Sequence, residues 1–183
     1  VQSALTQSLH KIEVIVVVDG PDDTTLHVLN QIDDPRLKVS MLPRHLGLSD
    51  ARNTGVREAQ SQWIAFLDDD DEWLPQKLEI QLQTAQQSAY DYPIISCRII
   101  ARTPAGDFFW PLRFPRPNEL LSEYIICRRN PISGEGLLLP STIFTKKELL
   151  LRIPFKSELR YYEDVDWLLH VSTQNGVGVE FVS

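Results

Sequence analysis

The chain has 183 residues, 43% of them hydrophobic and 23% charged, with a formal net charge of −7. That length suits one domain with a sizeable core, and the acidic balance argues against a surface built to wrap nucleic acid. Two cysteines, Cys97 and Cys127, form neither a disulfide framework nor a cysteine metal cluster and read as core or near-core thiols in a reducing compartment. No apolar run approaches transmembrane length.

The opening VQSALTQSLH reads as the later turns of a helix, with Val1, Leu5 and Leu9 at i, i+4 spacing. Residues 12–18 are apolar except for Glu13 and rich in β-branched side chains, the pattern of a central parallel strand covered on both faces. A central strand entered from a half-helix, and an alternation after Gly178 that stops with the chain, predict a polypeptide continued at both ends. After GPDD comes a short helix near 24–31 with Asp23 as its N-cap, then a short strand at 37–42. LSDARNTGVREAQ predicts a helix capped by Ser49, in which Gly55 marks close packing. WIAFLD at 63–68 is the next strand. Pro75 opens a helix whose Leu78, Leu82, Ala85 and Ala89 share one face, and IISCRII at 94–100 is another strand. Such alternation predicts an α/β domain with a mostly parallel sheet.

From 101 to 140 the pattern changes. A TPAGD turn, the proline- and aromatic-rich FFWPLRFPRP and a helix in NELLSEYIICRR predict an insertion or lid packed on one edge of the sheet. Phe108, Phe109 and Trp110 are open to three readings: a stacking platform for a ligand ring, a seal over a site, or a hydrophobic anchor. Arg128 and Arg129 read as a solvated basic pair or a phosphate contact. After Pro140, STIFTKKELLLR predicts a strand followed by a helix. His10, His27 and His45 share no motif and read as surface or turn residues, Trp63 as core, and Trp73 as core or pocket wall.

FLDDDDEW at 66–73 poses an electrostatic problem, because four aspartates and a glutamate crowd the end of an apolar strand. Asp68 and Asp70 project to one side if the strand continues past Asp68, and Asp69 and Asp71 to the other. The strand VIVVVDG also ends in a carboxylate, Asp19, so two parallel strands present acids at the carboxyl edge where open α/β sheets bind ligands. That arrangement suits a hard divalent ion on a substrate diphosphate; a solvated acidic turn is the alternative. EDVDW at 163–167 has a similar pair of readings, either a catalytic base or acidic residues favoured by a helix N-terminus.

The segments VVVDGPDDTT, GLSDARNTGVREAQSQWIAFLDDDDEWLPQKLEIQ and LRYYEDVDWLLHV together resemble the inverting glycosyltransferases of family 2, over roughly the whole chain. The resemblance implies a GT-A fold, three layers α/β/α around a mostly parallel sheet, forming one partial catalytic domain over 1–183. Residues 1–100 would be its nucleotide-sugar half and 101–183 its acceptor half. It implies that Asp19 contacts the nucleotide base, that Asp23 and Thr25 fill turn-and-cap positions, and that Arg52 and Asn53 line the nucleotide pocket. Asp68 and Asp70 match the outer members of a DxD signature, with Asp70 the direct ligand of Mn²⁺ or Mg²⁺, Asp68 nearer the ribose and sugar, and Asp71 an additional ligand candidate. Glu163 and Asp164 match the acidic pair that supplies the catalytic base, with Asp164 preferred and Asp166 supporting. His170 would sit behind the base and orient its helix.

Three positions depart from the family pattern: Val18 where an acid usually precedes Asp19, Pro21 where a serine follows the glycine, and His170 where arginine is common. The family's first strand and nucleotide-gripping loop have no counterpart here. The implied donor is a nucleotide-diphospho-sugar, a UDP-sugar first of all, and the implied acceptor is a glycan or lipid-linked hydroxyl. The implied location is the cytoplasm, at the inner face of the membrane, without nucleic acid as partner. A non-catalytic nucleotide-sugar-binding module and a nucleotidyltransferase are the alternatives; a dehydrogenase is disfavoured because no G-x-G-x-x-G follows the first strand.

Overall fold

The computed structural model describes residues 1–116, 119–127 and 136–182. Its helices are α1 (Gln2–Leu5), α2 (Asp23–Leu29), α3 (Leu48–Glu58), α4 (Lys77–Gln87), α5 (Leu121–Ile126), α6 (Lys147–Arg152) and α7 (Glu163–Val171). Its strands are β1 (Val14–Val18), β2 (Leu37–Met41), β3 (Trp63–Ala65), β4 (Tyr92–Cys97), β5 (Ile99–Thr103), β6 (Gly106–Trp110), β7 (Phe144–Lys146) and β8 (Val177–Val182). The expected alternation of strands and helices is present. Arg128 and Arg129 lie outside the described residues.

The strands form three groups. β1 and β2 pair in parallel. A four-stranded sheet runs β3-β7-β4-β8, in which β8 is parallel to β4 and β7 is antiparallel to both β3 and β4. β3 and β4 therefore point the same way, with β7 inserted between them. The third group is the antiparallel hairpin β5–β6. The stretch expected as one strand at 94–100 is thus divided at Arg98, and the hairpin begins immediately after β4.

The expectation of β1 as a central strand covered on both faces needs correction. Among the described residues it pairs with β2 alone, and only Val18 within it is fully buried. An apolar β-branched run encodes extended backbone and partial burial, but not the number of neighbouring strands. The best buried strand is β4, whose Ile94 and Ile95 are inaccessible to solvent. They face two apolar clusters: Ile94 lies with Tyr124, Ile143, Leu149, Trp167 and Leu168, and Ile95 with Leu78, Ala85 and Phe144. Burial of this kind contributes about 25 cal/mol per Å² of apolar surface removed from water.

Helix starts differ from expectation by one or two residues, each for a local reason. Asp22, not Asp23, caps α2. Its backbone is extended, and its carboxylate accepts from the N–H groups of Thr24 and Thr25 at 3.0 Å and from the Thr25 hydroxyl at 2.7 Å. α3 is preceded by Gly47 at φ 98°, a conformation glycine adopts without penalty, so Ser49 falls inside the first turn and is buried. Gly55 does mark close packing: a Cβ there would stand 3.5 Å from Val17 Cγ2, bringing α3 onto β1. α4 begins at Lys77, after the turn that contains Pro75.

Candidate functional site

Helix α3 is the hub of the site. At its start, the N–H groups of Leu46 and Gly47 donate to the two carboxylate oxygens of Asp19, at 2.7 and 3.0 Å. Asp19 thereby fastens the end of β1 to the entry of α3. One turn further on, Arg52 points into the protein with its side chain only 9% exposed. Its Nη2 donates to Asp68 Oδ1 at 2.9 Å, and its Nη1 donates to Glu163 Oε1 at 2.6 Å. The guanidinium also stands 5.6 Å from the centre of the Phe155 ring. A single side chain therefore joins the acidic strand end to the acidic helix start, 95 positions apart in the chain.

The two acidic segments differ sharply in surroundings. Glu163 is 7% exposed and Asp68 33% exposed, whereas Asp69, Asp70, Asp71 and Glu72 lie at the surface. The turn is held from outside itself: Asp68 N–H donates to the hydroxyl of buried Ser141, and Trp73 Nε1 donates to the Ser141 carbonyl. Trp73 is thus half-buried and hydrogen-bonded beneath the turn, with the Lys77 ammonium 4.4 Å from its ring centre. Burial lowers Lys77 to about 8. Lys77 donates to Gln81, whose amide donates to the carbonyls of Ile95 and Thr142.

Asp164 is the first-turn neighbour of Glu163 on α7. Its Oδ1 accepts from the Val165 N–H at 2.8 Å. Burial pushes its carboxyl above the ordinary value of 3.8; the Val165 bond opposes the shift, the negative charge of Glu163 adds to it, and Arg52 opposes it. A raised carboxyl with a fixed position is the property a general base requires. Tyr162, immediately before the helix, has left-handed backbone at φ 61°, unusual for an aromatic residue. The apolar face of α7 is carried by Trp167, Leu168 and Val171, more deeply buried than Val165 or Leu169.

Several expected site residues have other surroundings. Asn53 does not line an open pocket: it is buried, its Nδ2 donates to the Phe155 carbonyl, and its Oδ1 accepts from the Phe155 N–H. An amide side chain matches a backbone peptide group in both directions, and here it locks Phe155 beneath Arg52. Asp23 is exposed at the start of α2 and forms no part of the Arg52 cluster. His170 is exposed in the last turn of α7, away from Asp164, where with Lys156, Asp166 and Arg152 it lines a cavity of about 280 Å³. Asp166 is paired with Lys156 at 3.0 Å. His10, His27 and His45 are exposed, as expected, and Trp63 stacks on Phe144. Cys127 is exposed rather than near-core, while Cys97 is partly buried.

Asp70 and Asp71 are hard-oxygen donors open to solvent, and with Asp69 and Glu72 they border a cavity of about 630 Å³ whose other wall is α1 and the end of α2. Among the described residues, no three His, Cys, Asp or Glu side chains converge as a ready-made metal cage. The residues present fit a cation bound mainly by one or two carboxylates and an incoming diphosphate, the usual habit of Mg²⁺.

Ser141 was not legible as a support, because it meets the acidic turn across 73 positions of sequence. Arg52 was legible as a site residue but not as the link between Asp68 and Glu163.

Comparison with known proteins agrees with this architecture. A family model for glycosyl transferase family 2 matches residues 1–140. A glycosyltransferase of Haemophilus influenzae is 30% identical over 172 residues, covering 92% of this chain and 54% of that protein. The Escherichia coli UDP-Glc:alpha-D-GlcNAc-diphosphoundecaprenol beta-1,3-glucosyltransferase WfaP is 37% identical over 82 residues, covering 45% of this chain and 33% of that one. The crystal structure of S. aureus TarS in complex with UDP superposes with a TM-score of 0.65 at 22% identity, covering 100% of this chain and 55% of that chain; a complex with UDP-GlcNAc gives 0.66. The chain thus spans about half the length, or less, of these relatives. With an acidic strand end and an acidic helix start gathered on one arginine of an α/β scaffold, and with that match over residues 1–140, the chain belongs to glycosyl transferase family 2 and has the GT-A fold.

Proposed function

We propose that the protein transfers a sugar from a nucleotide-diphospho-sugar to an acceptor hydroxyl with inversion at the anomeric carbon, using Asp164 as base. The observation that carries this reading is the Arg52 bridge, which holds Asp68 and Glu163 on one guanidinium and so brings the DxD turn close to the start of α7. Residues 1–100 form the donor half in this reading, with Asp19 toward the base and Asp68 toward the ribose and sugar. Residues 101–183 form the acceptor half.

In the reaction, the acceptor oxygen attacks the anomeric carbon as the bond to the diphosphate oxygen breaks, and the acceptor proton passes to Asp164. Glu163 is already committed to Arg52, which leaves Asp164 as the carboxylate of the pair suited to proton transfer. Burial favours its protonated form and so raises its basicity. The exposed carboxylates of Asp70 and Asp71, with Asp68, would hold Mn²⁺ or Mg²⁺. When bound there, the ion supplies positive charge against the departing diphosphate.

A UDP-sugar is the favoured donor, supported by the UDP-Glc in the name of WfaP and by TarS complexes with UDP and UDP-GlcNAc. A lipid-linked acceptor is favoured by the diphosphoundecaprenol in the same name, which would place the protein at the cytoplasmic face of a membrane. No helix among the described residues is long and apolar enough to cross one.

The test is isothermal calorimetry of the full-length protein with UDP-glucose and UDP-GlcNAc, with and without Mn²⁺. Donor affinity that strengthens with Mn²⁺, and loses that increment in Asp70→Asn, supports the reading; an unchanged increment removes Asp70 from the metal site. Product analysis separates sugar transfer from nucleotidyl transfer.

A further inference from the structure

The β5–β6 hairpin is unlike the rest of the molecule. Among the described residues its strands pair only with each other, and large apolar side chains stand exposed on both of its faces. Strand pairing puts Ile100 opposite Phe109 on one face, and Ala101 opposite Phe108 on the other, where Phe108 stacks along the strand with Trp110 at 6.4 Å. Phe109 is 60% exposed, Phe108 44% and Ile100 38%, and Leu112 just beyond the hairpin is 56% exposed. The tip between Thr103 and Gly106 is uncharged. Side chains of this size are normally covered, so their exposure together along the hairpin marks a surface that meets something apolar.

The charge distribution indicates what that is. Residues 98–116 hold four of the chain's 18 Lys and Arg residues and only one of its 25 Asp and Glu residues. Arg98, Arg102 and Arg116 are exposed; Arg102 stands across from Asp107, and Arg98 stacks on Phe114 at 4.7 Å. Arg113 is held by Glu119. A basic, aromatic wedge on an otherwise acidic protein complements an anionic lipid surface: the arginines meet headgroups, the phenylalanines enter the acyl boundary, and the remaining surface is repelled.

Topology gives the wedge its purpose. β4 and β3 run in the same direction, because both are antiparallel to β7. The hairpin leaves the carboxyl end of β4, the same end of the sheet at which β3 leads to Asp68.

We propose that the β5–β6 hairpin is a membrane-docking wedge that seats Phe108 and Phe109 in an anionic lipid interface and turns the site-bearing end of the sheet toward the bilayer. Its purpose rests on the reading of a lipid-linked acceptor, whereas the docking itself does not. A sugar carried on a lipid diphosphate would then meet the site at the membrane surface instead of being withdrawn into water.

The experiment is co-sedimentation of the full-length protein with vesicles of phosphatidylcholine alone, or with one quarter phosphatidylglycerol. Binding is expected to the anionic vesicles and to weaken with salt. Phe108→Ser combined with Phe109→Ser should lower partitioning by roughly tenfold or more, and each of Arg98→Gln and Arg116→Gln by about fivefold. Phe108→Trp with Phe109→Trp should retain binding, which separates loss of the interface from loss of the hairpin. Donor affinity in solution should be unchanged in all of these variants, so a failure of docking is distinct from a failure of the glycosyltransferase reading. Equal binding to both vesicle types, or full binding by the double serine variant, overturns the proposal. So does protection of Phe108 and Phe109 from hydroxyl-radical labelling without lipid, which would assign them to another part of the chain or a second copy. A changed KM for a water-soluble GlcNAc-diphosphate acceptor in the serine variant, with vesicle binding intact, would make the hairpin a glycan platform instead.

Discussion

The acidic turn at 68–72 and the acidic start of α7 are similar in sequence and opposite in physics. In the turn, Asp69 to Glu72 face water, so their mutual repulsion is screened and their oxygens remain open to a cation. At the helix, Glu163 is buried against Arg52, and burial raises Asp164. Only Asp68 belongs to both regions, because Arg52 reaches it from the helix side. Clustered carboxylates open to solvent are suited to holding charge, and a partly buried one with a raised carboxyl has the property that proton transfer requires.

The sharpest way to break this comparison is at Asp164. In Asp164→Asn, single-turnover transfer with saturating donor should fall by roughly 10²–10⁴-fold while donor affinity survives. A near-normal rate beside a collapse in Glu163→Gln would transfer the base to Glu163. The pH behaviour has a definite sign. The carboxyl of Asp164 is raised in the folded protein, so its contribution to stability is fully present below 3.8 and is lost as pH rises through the folded value. Asp164→Asn should therefore be the more stable protein at neutral pH, by an increment that disappears in acid. The acid limb of the parent's rate profile should lie above 3.8.

Arg52→Met tests whether the two regions depend on one cation. It leaves Glu163 buried without its partner, and urea unfolding should show a loss of about 3–5 kcal/mol. Adding Glu163→Gln should restore part of that loss; no recovery would mean that Arg52 acts through its packing on Phe155. Asn53→Ala is expected to cost about 1–3 kcal/mol, since the Phe155 N–H and carbonyl lose their buried partners. Donor affinity per folded molecule should not move, and a specific loss of affinity would return Asn53 to the nucleotide pocket.

Asp69→Asn should have the smallest effect. Removing one charge from an exposed run should raise stability in metal-free, low-salt buffer by no more than about 0.5 kcal/mol, and added salt should erase the difference. A large destabilisation would show that the turn is held by its own carboxylates as well as by Ser141.

Local chemistry determined much of this protein. The β-branched run at 12–18 marked a strand, and three sequence blocks in order carried the family resemblance. Apolar spacing marked Leu78, Leu82 and Ala85 on one face of α4, although Ala89 lies beyond that helix and is exposed. Those signals lie in neighbouring residues, where periodicity and strand ends leave a direct imprint. What the tertiary structure decided lies in pairings between distant positions. That β1 pairs with β2 alone among the described residues and that Asn53 faces Phe155 are outcomes of packing. So is the Ser141 clamp, 73 positions from Asp68. The division of labour between the acidic segments belongs to the same class. Asp and Glu look alike in a sequence, and only burial and the reach of one arginine tether Glu163, raise Asp164 and leave Asp69 to Glu72 a solvated edge.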